Sequence, residues 1–135
     1  MSLTPEEGNA ILKDNFAPWV QDLGLVVEEV GDQYAVLRLP WSDRLAREGG
    51  ALSGQALMAA ADTSTVIALS AARGGYGPMT TVQQSTTFQR PITGADAVIT
   101  ARVSKLGRTL AFVDVSMAAG GTIAASSTTV YALLA

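Results

Sequence analysis

Asp62 is the residue whose setting points most directly to chemistry. It carries the only charge in a segment of mainly Ala, Leu, Met, Val and Ile that runs from Leu52 to Ala72. A carboxylate buried there without partners would be strongly destabilising, so it needs either a partner or a use. One interpretation is a general base or a nucleophile held in a cleft. The structural alternatives are an N-cap where the helix restarts at residues 63–65, or an ion pair with an arginine.

The segment Ser53-Gly54-Gln55 opens the same apolar stretch, directly after a loop that ends in Gly49-Gly50. A helix that begins here would present free N–H groups and the positive end of its dipole, which stabilise a carbonyl oxygen that gains negative charge. The structural alternative is that Ser53 is only an N-cap and that Gly54 allows close packing.

The spacing of Gly54 and Asp62 constrains how they could act together. They are eight positions apart, which corresponds to about 12 Å along a helix axis. One carbonyl group cannot contact both within a single chain. A shared site therefore predicts a two-fold dimer in which Asp62 of one subunit approaches Gly54 of the other.

Basic residues are concentrated in the second half of the chain. Residues 1–62 hold four basic and ten acidic groups, whereas residues 63–135 hold five basic and two acidic groups. Arg90, Arg102, Lys105 and Arg108 could bind the phosphates of a nucleotide-bearing substrate. The alternative is that they are solvated charges at strand edges. An aromatic content of 6% and a net charge of −3 argue against a nucleic-acid partner.

The chain contains neither cysteine nor histidine. Disulfides, thiolate catalysis, Ser-His-Asp triads and zinc sites built on Cys or His are excluded, and we expect no metal and no cofactor. The acidic start of the chain has no signal-peptide pattern, so we expect a cytoplasmic location. The uncharged stretch from Val115 to Ala135 carries Gly120-Gly121 and several hydroxyls. It therefore indicates a hairpin and a strand, and no membrane partner is expected.

The remaining patterns predict an α+β chain with one domain over residues 1–135. A capping box at Thr4-Pro5-Glu6-Glu7 starts a helix over about 5–16, which Pro18 ends and to which Trp19 could contribute. A hairpin follows over 25–39, then a working loop over 40–50 and a buried helix over 52–72. Four strands, at about 79–90, 96–106, 109–118 and 122–134, are predicted as an antiparallel meander. About six antiparallel strands would thus wrap one long helix, and the sheet or the helix would also meet another subunit.

The order of residues around the long helix resembles the hotdog-fold thioesterases of the phenylacetic-acid-degradation (PaaI-like) type. Their usual pattern is His-Gly-Gly, six residues, then Asp, and Ser53-Gly54-Gln55 stands at the same distance from Asp62. The resemblance runs from about residue 20 to the C-terminus and includes Thr80-Thr81-Val82, Thr87-Phe88-Gln89-Arg90-Pro91 and Lys105-Leu106-Gly107-Arg108-Thr109-Leu110-Ala111-Phe112.

The resemblance implies a hotdog fold, a homo-oligomer (a dimer or a dimer of dimers) and hydrolysis of an acyl-CoA thioester to free acid and CoA. Asp62 would be the base or the nucleophile, and the Gly54 N–H would polarise the thioester carbonyl across the dimer interface. Thr81 would help to position the attacking water or the carboxylate.

Three positions depart from the pattern of that family: Ser53 replaces the His, Gln55 the second Gly, and Arg47 an Asn six residues before the His. Ser53 could still cap the helix, and Gln55 could donate an amide hydrogen bond. Arg47 could pair with Asp62 or bind a negatively charged substrate group. One alternative is a hotdog domain that binds acyl-CoA or a related ligand without hydrolysing it. A hydratase-like hotdog is less favoured, because such proteins usually rely on a His.

Overall fold

The computed structural model describes residues 3–134, which form one six-stranded antiparallel sheet and three helices. The helices are α1 (Pro5–Asn15), α2 (Pro18–Gln21) and α3 (Gly54–Arg73), and the strands are β1 (Val26–Val30), β2 (Tyr34–Leu39), β3 (Met79–Phe88), β4 (Ala97–Leu106), β5 (Leu110–Ala119) and β6 (Thr122–Leu133). The strand order is β1-β2-β4-β5-β6-β3. This confirms the predicted antiparallel sheet of six strands around one long central helix, with a short helix at the N-terminus.

Helix α1 begins as predicted but ends earlier and differently. Thr4 and Glu7 form both hydrogen bonds of the capping box, and the helix ends at Asn15 because Phe16 adopts an extended backbone. The first helix ends before Pro18, as expected, but the prediction that Trp19 could contribute to it was wrong. Pro18 is the first residue of α2, a position that suits its fixed φ and missing N–H, and Trp19 on that helix is 62% exposed.

Helix α3 is buried on most sides, as its composition predicted. Of its 20 residues, 13 are buried, and the helix packs most extensively on β2 and β4. Side chains from these two strands, among them Leu37, Leu39 and Ile99, are fully buried beneath it. Gly74 ends the helix with a φ of 80°, a left-handed conformation that favours glycine.

The predicted meander is wrong for β3. Strands β4, β5 and β6 do follow one another as neighbours, but β3 pairs with the far side of β6. The side chains of β4 that face α3, including Ala97, Ile99 and Ala101, are apolar and fully buried, so β4 lies next to β2 under the helix. Strand β3 is polar from Gln83 to Thr87, and a strand of that kind is better placed at the edge of a sheet.

No helix within residues 3–134 is both long enough and apolar enough to cross a lipid bilayer.

The sheet under α3 makes a direct prediction about stability. Ile99 is fully buried on β4, so Ile99→Ala should lower the free energy of unfolding by about 2–5 kcal/mol, as lost burial and a residual cavity add. The matched control is Ile123→Ala at a side chain that is 47% exposed, where a change within about 0.5 kcal/mol is expected. Urea denaturation of the three proteins measures both, and equal losses would contradict the proposed core.

Candidate active site

Asp62 lies in the middle of α3 with its side chain directed at the pair formed by β3 and β6. The Thr81 hydroxyl donates to Asp62 Oδ1 at 2.9 Å. The Tyr131 hydroxyl donates to the same oxygen and to the backbone carbonyl of Asp62, the latter at 3.0 Å. Thr81 and Tyr131 are direct cross-strand partners, so the two hydroxyls reach the carboxylate from neighbouring strands.

Both structural alternatives for Asp62 were wrong. The helix is continuous from Gly54 to Arg73, so nothing restarts at residues 63–65 that Asp62 could cap. No arginine forms an ion pair with Asp62 within the described part of the chain. The side chain is also only partly buried, so a full desolvation cost does not arise, and hydroxyl donors stabilise the carboxylate instead of a cation.

Tyr131 is the site residue that sequence reasoning missed. Its side chain is only 3% exposed, and burial, together with the charge of Asp62 and the hydrogen bond to it, raises the pKa of the phenol far above its usual range. The hydroxyl therefore stays protonated and can donate at any working pH. Its one signal in the sequence is a lone polar aromatic ring near the end of a strand of small and aliphatic residues.

Gly54 is the first residue of α3, and Ser53 is its N-cap, as predicted. The Ser53 hydroxyl accepts a hydrogen bond from the Ala56 N–H at 3.1 Å. The N–H groups of Gly54 and Gln55 have no acceptor within the helix, because the first turn of any helix leaves them unpaired. A Cβ added at Gly54 would lie 3.4 Å from the ring of Phe88, an ordinary contact, so packing alone does not require a glycine there.

The start of α3 borders two separate cavities. Gly54 lines a cleft of about 430 Å³ together with Arg47, Phe88 and Arg90. Ser53 and Gln55 instead line a second cavity of about 260 Å³, together with residues such as Trp19 and Arg44. The structure thus places Arg47 and Arg90 in the same cleft as Gly54, and places Gln55 in a different cavity.

The other basic residues lie elsewhere. Lys105 and Arg108 are exposed at the hairpin between β4 and β5. This hairpin lies in the same cross-strand row as Tyr131 and Thr81. Its strand β4 is three strands from β3, so about 14 Å separates β4 from β3 at the usual strand spacing. Arg102 was grouped with them as a phosphate ligand, but it lies on the face of the sheet opposite α3, 4.9 Å above the ring of Tyr34.

The continuous helix keeps Gly54 and Asp62 apart, as their spacing predicted. Eight residues of unbroken α-helix give about 12 Å of rise. Met58 lies halfway between them, and the spacing of four residues places all three on one side of α3. Met58 is 38% exposed, and its backbone carbonyl accepts a hydrogen bond from the Gln84 side chain at 3.0 Å. This side of α3 is therefore accessible in the single chain.

Comparison with known proteins agrees with this fold. Residues 49–125 match the family model described as the thioesterase superfamily. A protein from Silicibacter sp. TM1040 is 29% identical, with a TM-score of 0.87 over 98% of this chain and 93% of that one. A conserved protein from Pseudomonas aeruginosa is 25% identical, with a TM-score of 0.82 over 88% of this chain and 95% of that one. No curated protein sequence matches the chain.

The fold likeness extends to the PaaI protein from the phenylacetic acid degradation operon of E. coli. It is 16% identical, with a TM-score of 0.83 over 96% of this chain and 92% of that one, a likeness that concerns the fold alone. A six-stranded antiparallel sheet around a long central helix is the hotdog fold, as the resemblance of the sequence implied.

The raised pKa of Tyr131 predicts how stability depends on alkaline pH. In the unfolded chain a tyrosine ionises near pH 10, whereas the folded state holds Tyr131 protonated to higher pH. This contribution to stability is complete below about pH 10 and is lost as the pH rises above it. Tyr131→Phe should make the fall in unfolding free energy between about pH 9 and pH 11 less steep than in the wild type. Urea denaturation at a series of pH values measures this dependence. An equally steep fall of unfolding free energy with pH in both proteins would contradict the buried hydrogen bond.

Proposed function

Because this chain belongs to the thioesterase superfamily, we propose that it hydrolyses an acyl-CoA thioester to the free acid and CoA. The observation that carries the proposal is the setting of Asp62, an accessible carboxylate whose Oδ1 accepts two hydroxyl donors. It lies on the side of α3 that also bears Gly54 at the start of the helix. The spacing of these two residues supports placing the chain with the PaaI-like thioesterases.

The reaction needs a polarised carbonyl and an activated attacking group. The Gly54 N–H donates to the thioester carbonyl oxygen and stabilises the negative charge that develops on it. Asp62 takes a proton from a water molecule, whose oxygen bonds to the carbonyl carbon. When the tetrahedral intermediate collapses, the carbon–sulfur bond breaks, and the proton held by Asp62 passes to the departing thiolate of CoA.

A nucleophilic route uses the same groups. Asp62 attacks the carbonyl carbon directly, CoA leaves as the thiolate, and water then hydrolyses the mixed anhydride to the free acid and the regenerated carboxylate. In both routes Thr81 orients the reactive group, because its hydroxyl holds Asp62 Oδ1. Gly54, Asp62 and Thr81 are therefore the proposed catalytic set.

The site requires two subunits. Gly54 and Asp62 of one chain are separated by about 12 Å of continuous helix, so the carbonyl bound at Gly54 meets the Asp62 of a partner. The edge strand β3 supports such an assembly. It is ten residues long, it has only β6 as a neighbour within residues 3–134, and it exposes Val82 and Phe88. Long exposed edges of this kind are normally covered.

Two-fold symmetry fixes the register of the two helices. If Gly54 opposes the partner's Asp62 and Asp62 opposes the partner's Gly54, the helices run antiparallel and their midpoint is residue 58. Met58 then faces its own copy across the two-fold axis, since a residue on the axis meets itself. This gives a role to an exposed methionine on a helix that is otherwise largely buried.

The basic residues are proposed to bind the anionic parts of the substrate. Arg47 and Arg90 share a cleft with Gly54. Lys105 and Arg108 instead lie on the hairpin between β4 and β5, toward the end of α3 that carries Asp62. In the antiparallel dimer the end that carries Gly54 meets the end that carries the partner's Asp62. Each site would then draw on both pairs for the CoA phosphates or for a charged group on the acyl chain.

A second candidate function is binding without hydrolysis. It is favoured by Ser53 and Arg47, which occupy the positions where the resembled family has a His and an Asn. Ser53 is engaged as the helix cap, and Arg47 is a cation that cannot act as a base. In this case the same cleft holds an acyl-CoA or a related ligand and releases it unchanged.

The role of Asp62 predicts the effect of two substitutions. Asp62→Asn and Asp62→Ala should each lower kcat/KM by about 10²-fold or more, because general base catalysis typically contributes that much. Release of free thiol from short, medium and aryl acyl-CoAs measures the rate. Asp114→Asn is the matched control, since Asp114 is an exposed carboxylate on the opposite face of the sheet.

Two results would count against this assignment. Near wild-type rates in both Asp62 variants would remove Asp62 from the mechanism. A wild-type protein that cleaves none of the thioesters, but whose melting temperature rises with CoA esters, would favour the binding function instead.

The predicted two-fold axis can be tested with a single thiol, because the chain has no cysteine. Met58→Cys should yield a covalent dimer on oxidation or with a short bismaleimide, since the two thiols meet at the axis. Lys13→Cys is the control, because Lys13 is exposed on α1, which packs against β1 at the other edge of the sheet. Equal cross-linking of both variants, or a monomeric mass in solution, would contradict the shared site.

A further inference from the structure

The carboxylate of Asp62 has two donors on one oxygen, and the resemblance to the thioesterase family accounts for only one of them, Thr81. We propose that Tyr131 is a further positioning residue of the site, beside Thr81: its hydroxyl holds Asp62 through Oδ1 and leaves Oδ2 as the oxygen that reacts. The inference rests on the proposed function and adds a residue to it. Tyr131 acts through Asp62 and does not touch the substrate.

The Tyr131 hydroxyl contacts both the side chain and the main chain of Asp62, so it would fix the position of the whole residue and not only of its carboxylate. Its oxygen lies within hydrogen-bond distance of both Asp62 Oδ1 and the Asp62 backbone carbonyl, 3.0 Å away in the second case. One hydroxyl proton is thus shared between the side chain and the main chain of the same residue. Rotation of the carboxylate away from Tyr131 would break this arrangement, so the side chain is held in one orientation.

The two donors differ in how firmly they are themselves held. Tyr131 belongs to the buried core and lies on β6, which is paired with β5 on one side and β3 on the other. Thr81 lies on β3, which pairs only with β6 within residues 3–134, next to a register shift between Thr81 and Gln83. The buried phenol is therefore the rigid reference, and the threonine is the adjustable second donor.

The orientation matters because a carboxylate on an aspartate rotates easily about its last torsion. Both protein donors to the carboxylate within residues 3–134 are on Oδ1, so Oδ2 accepts no hydrogen bond from this part of the chain. A base or nucleophile held in this way needs no reorientation before it reacts, and misplacement by about 1 Å can cost about 10²-fold in rate. The buried phenol also stays protonated, since burial raises its pKa, so the clamp persists at every working pH.

The inference predicts a loss of rate without a loss of binding. Tyr131→Phe should lower kcat by about 10- to 100-fold, as for other residues that orient a reactive group, with KM within about two-fold of the wild type. Tyr34→Phe is the matched control. It removes a tyrosine hydroxyl that also donates to a carboxylate, that of Glu29, but on the face of the sheet away from α3, and kcat should not change.

The outcomes separate this inference from the proposed function. An inactive Asp62→Asn beside a Tyr131→Phe variant with wild-type kcat would overturn the positioning role while leaving the function in place. The folded fraction of Tyr131→Phe at the assay temperature is measured by thermal melting. If it falls by the same factor as kcat, unfolding alone explains the loss of rate, and the positioning role is overturned.

A readout that does not depend on activity covers the case in which no thioester is cleaved. The shared hydroxyl proton should give a downfield, slowly exchanging signal in the proton NMR spectrum of the wild type and of Tyr34→Phe. The signal should be lost in Tyr131→Phe and should move upfield in Asp62→Ala, which keeps only the main-chain acceptor. Its absence from the wild type, or its persistence in Tyr131→Phe, would show that Tyr131 does not clamp the carboxylate.

Discussion

The contact between α3 and the strand pair β6 and β3 is the interaction on which the site depends. Toward β2 and β4 the helix packs through fully buried apolar side chains, a contact that does not specify rotation closely when many of the helix residues are alanine. Toward β6 and β3 the contacts are directional hydrogen bonds. They join Asp62 to Tyr131 and Thr81, Thr65 to Thr129 at 2.9 Å, and Gln84 to the Met58 carbonyl at 3.0 Å.

Because hydrogen bonds have narrow distance and angle ranges, these bonds set both the rotation and the axial position of α3 on the sheet. The consequence is that Asp62 cannot move relative to β6 without breaking its hydrogen bonds to Tyr131. The placement of β3 outside β6 follows the same logic. If β3 lay next to β4, as a meander predicts, β4 and β5 would separate it from β6. Thr81 would then be too far from Tyr131 for both hydroxyls to reach the carboxylate.

Much of the local structure could be predicted from the sequence. Helix α3 was indicated by its continuous small and apolar residues, its start by Ser53, and the hairpin turns by glycines at residues 31, 107 and 120–121, because each of these signals lies within a few neighbouring residues. The strand partner of β3 and the role of Tyr131 could not be predicted. Tyr131 is 69 positions from Asp62, and no periodic pattern reports which strands become neighbours. The misplacement of Arg102 has the same origin: alternation predicts that a strand has two faces, but only the sheet decides which of them meets the helix.

The chain has no histidine at the start of α3, and the structure shows which groups of that segment remain. The usual His position is taken by Ser53, whose hydroxyl satisfies the Ala56 N–H, while the Gly54 N–H belongs to the backbone and does not depend on its neighbour's side chain. The N–H group that we propose polarises the carbonyl is therefore retained by helix geometry alone. What the substitutions change is charge, because Arg47 brings a permanent cation into the cleft that already holds Arg90. In the proposed reaction, a carbonyl bound at Gly54 would meet a more positive field, which would favour the oxyanion that forms on it and would draw an anionic substrate toward the side of the proposed dimer where the partner's Asp62 lies.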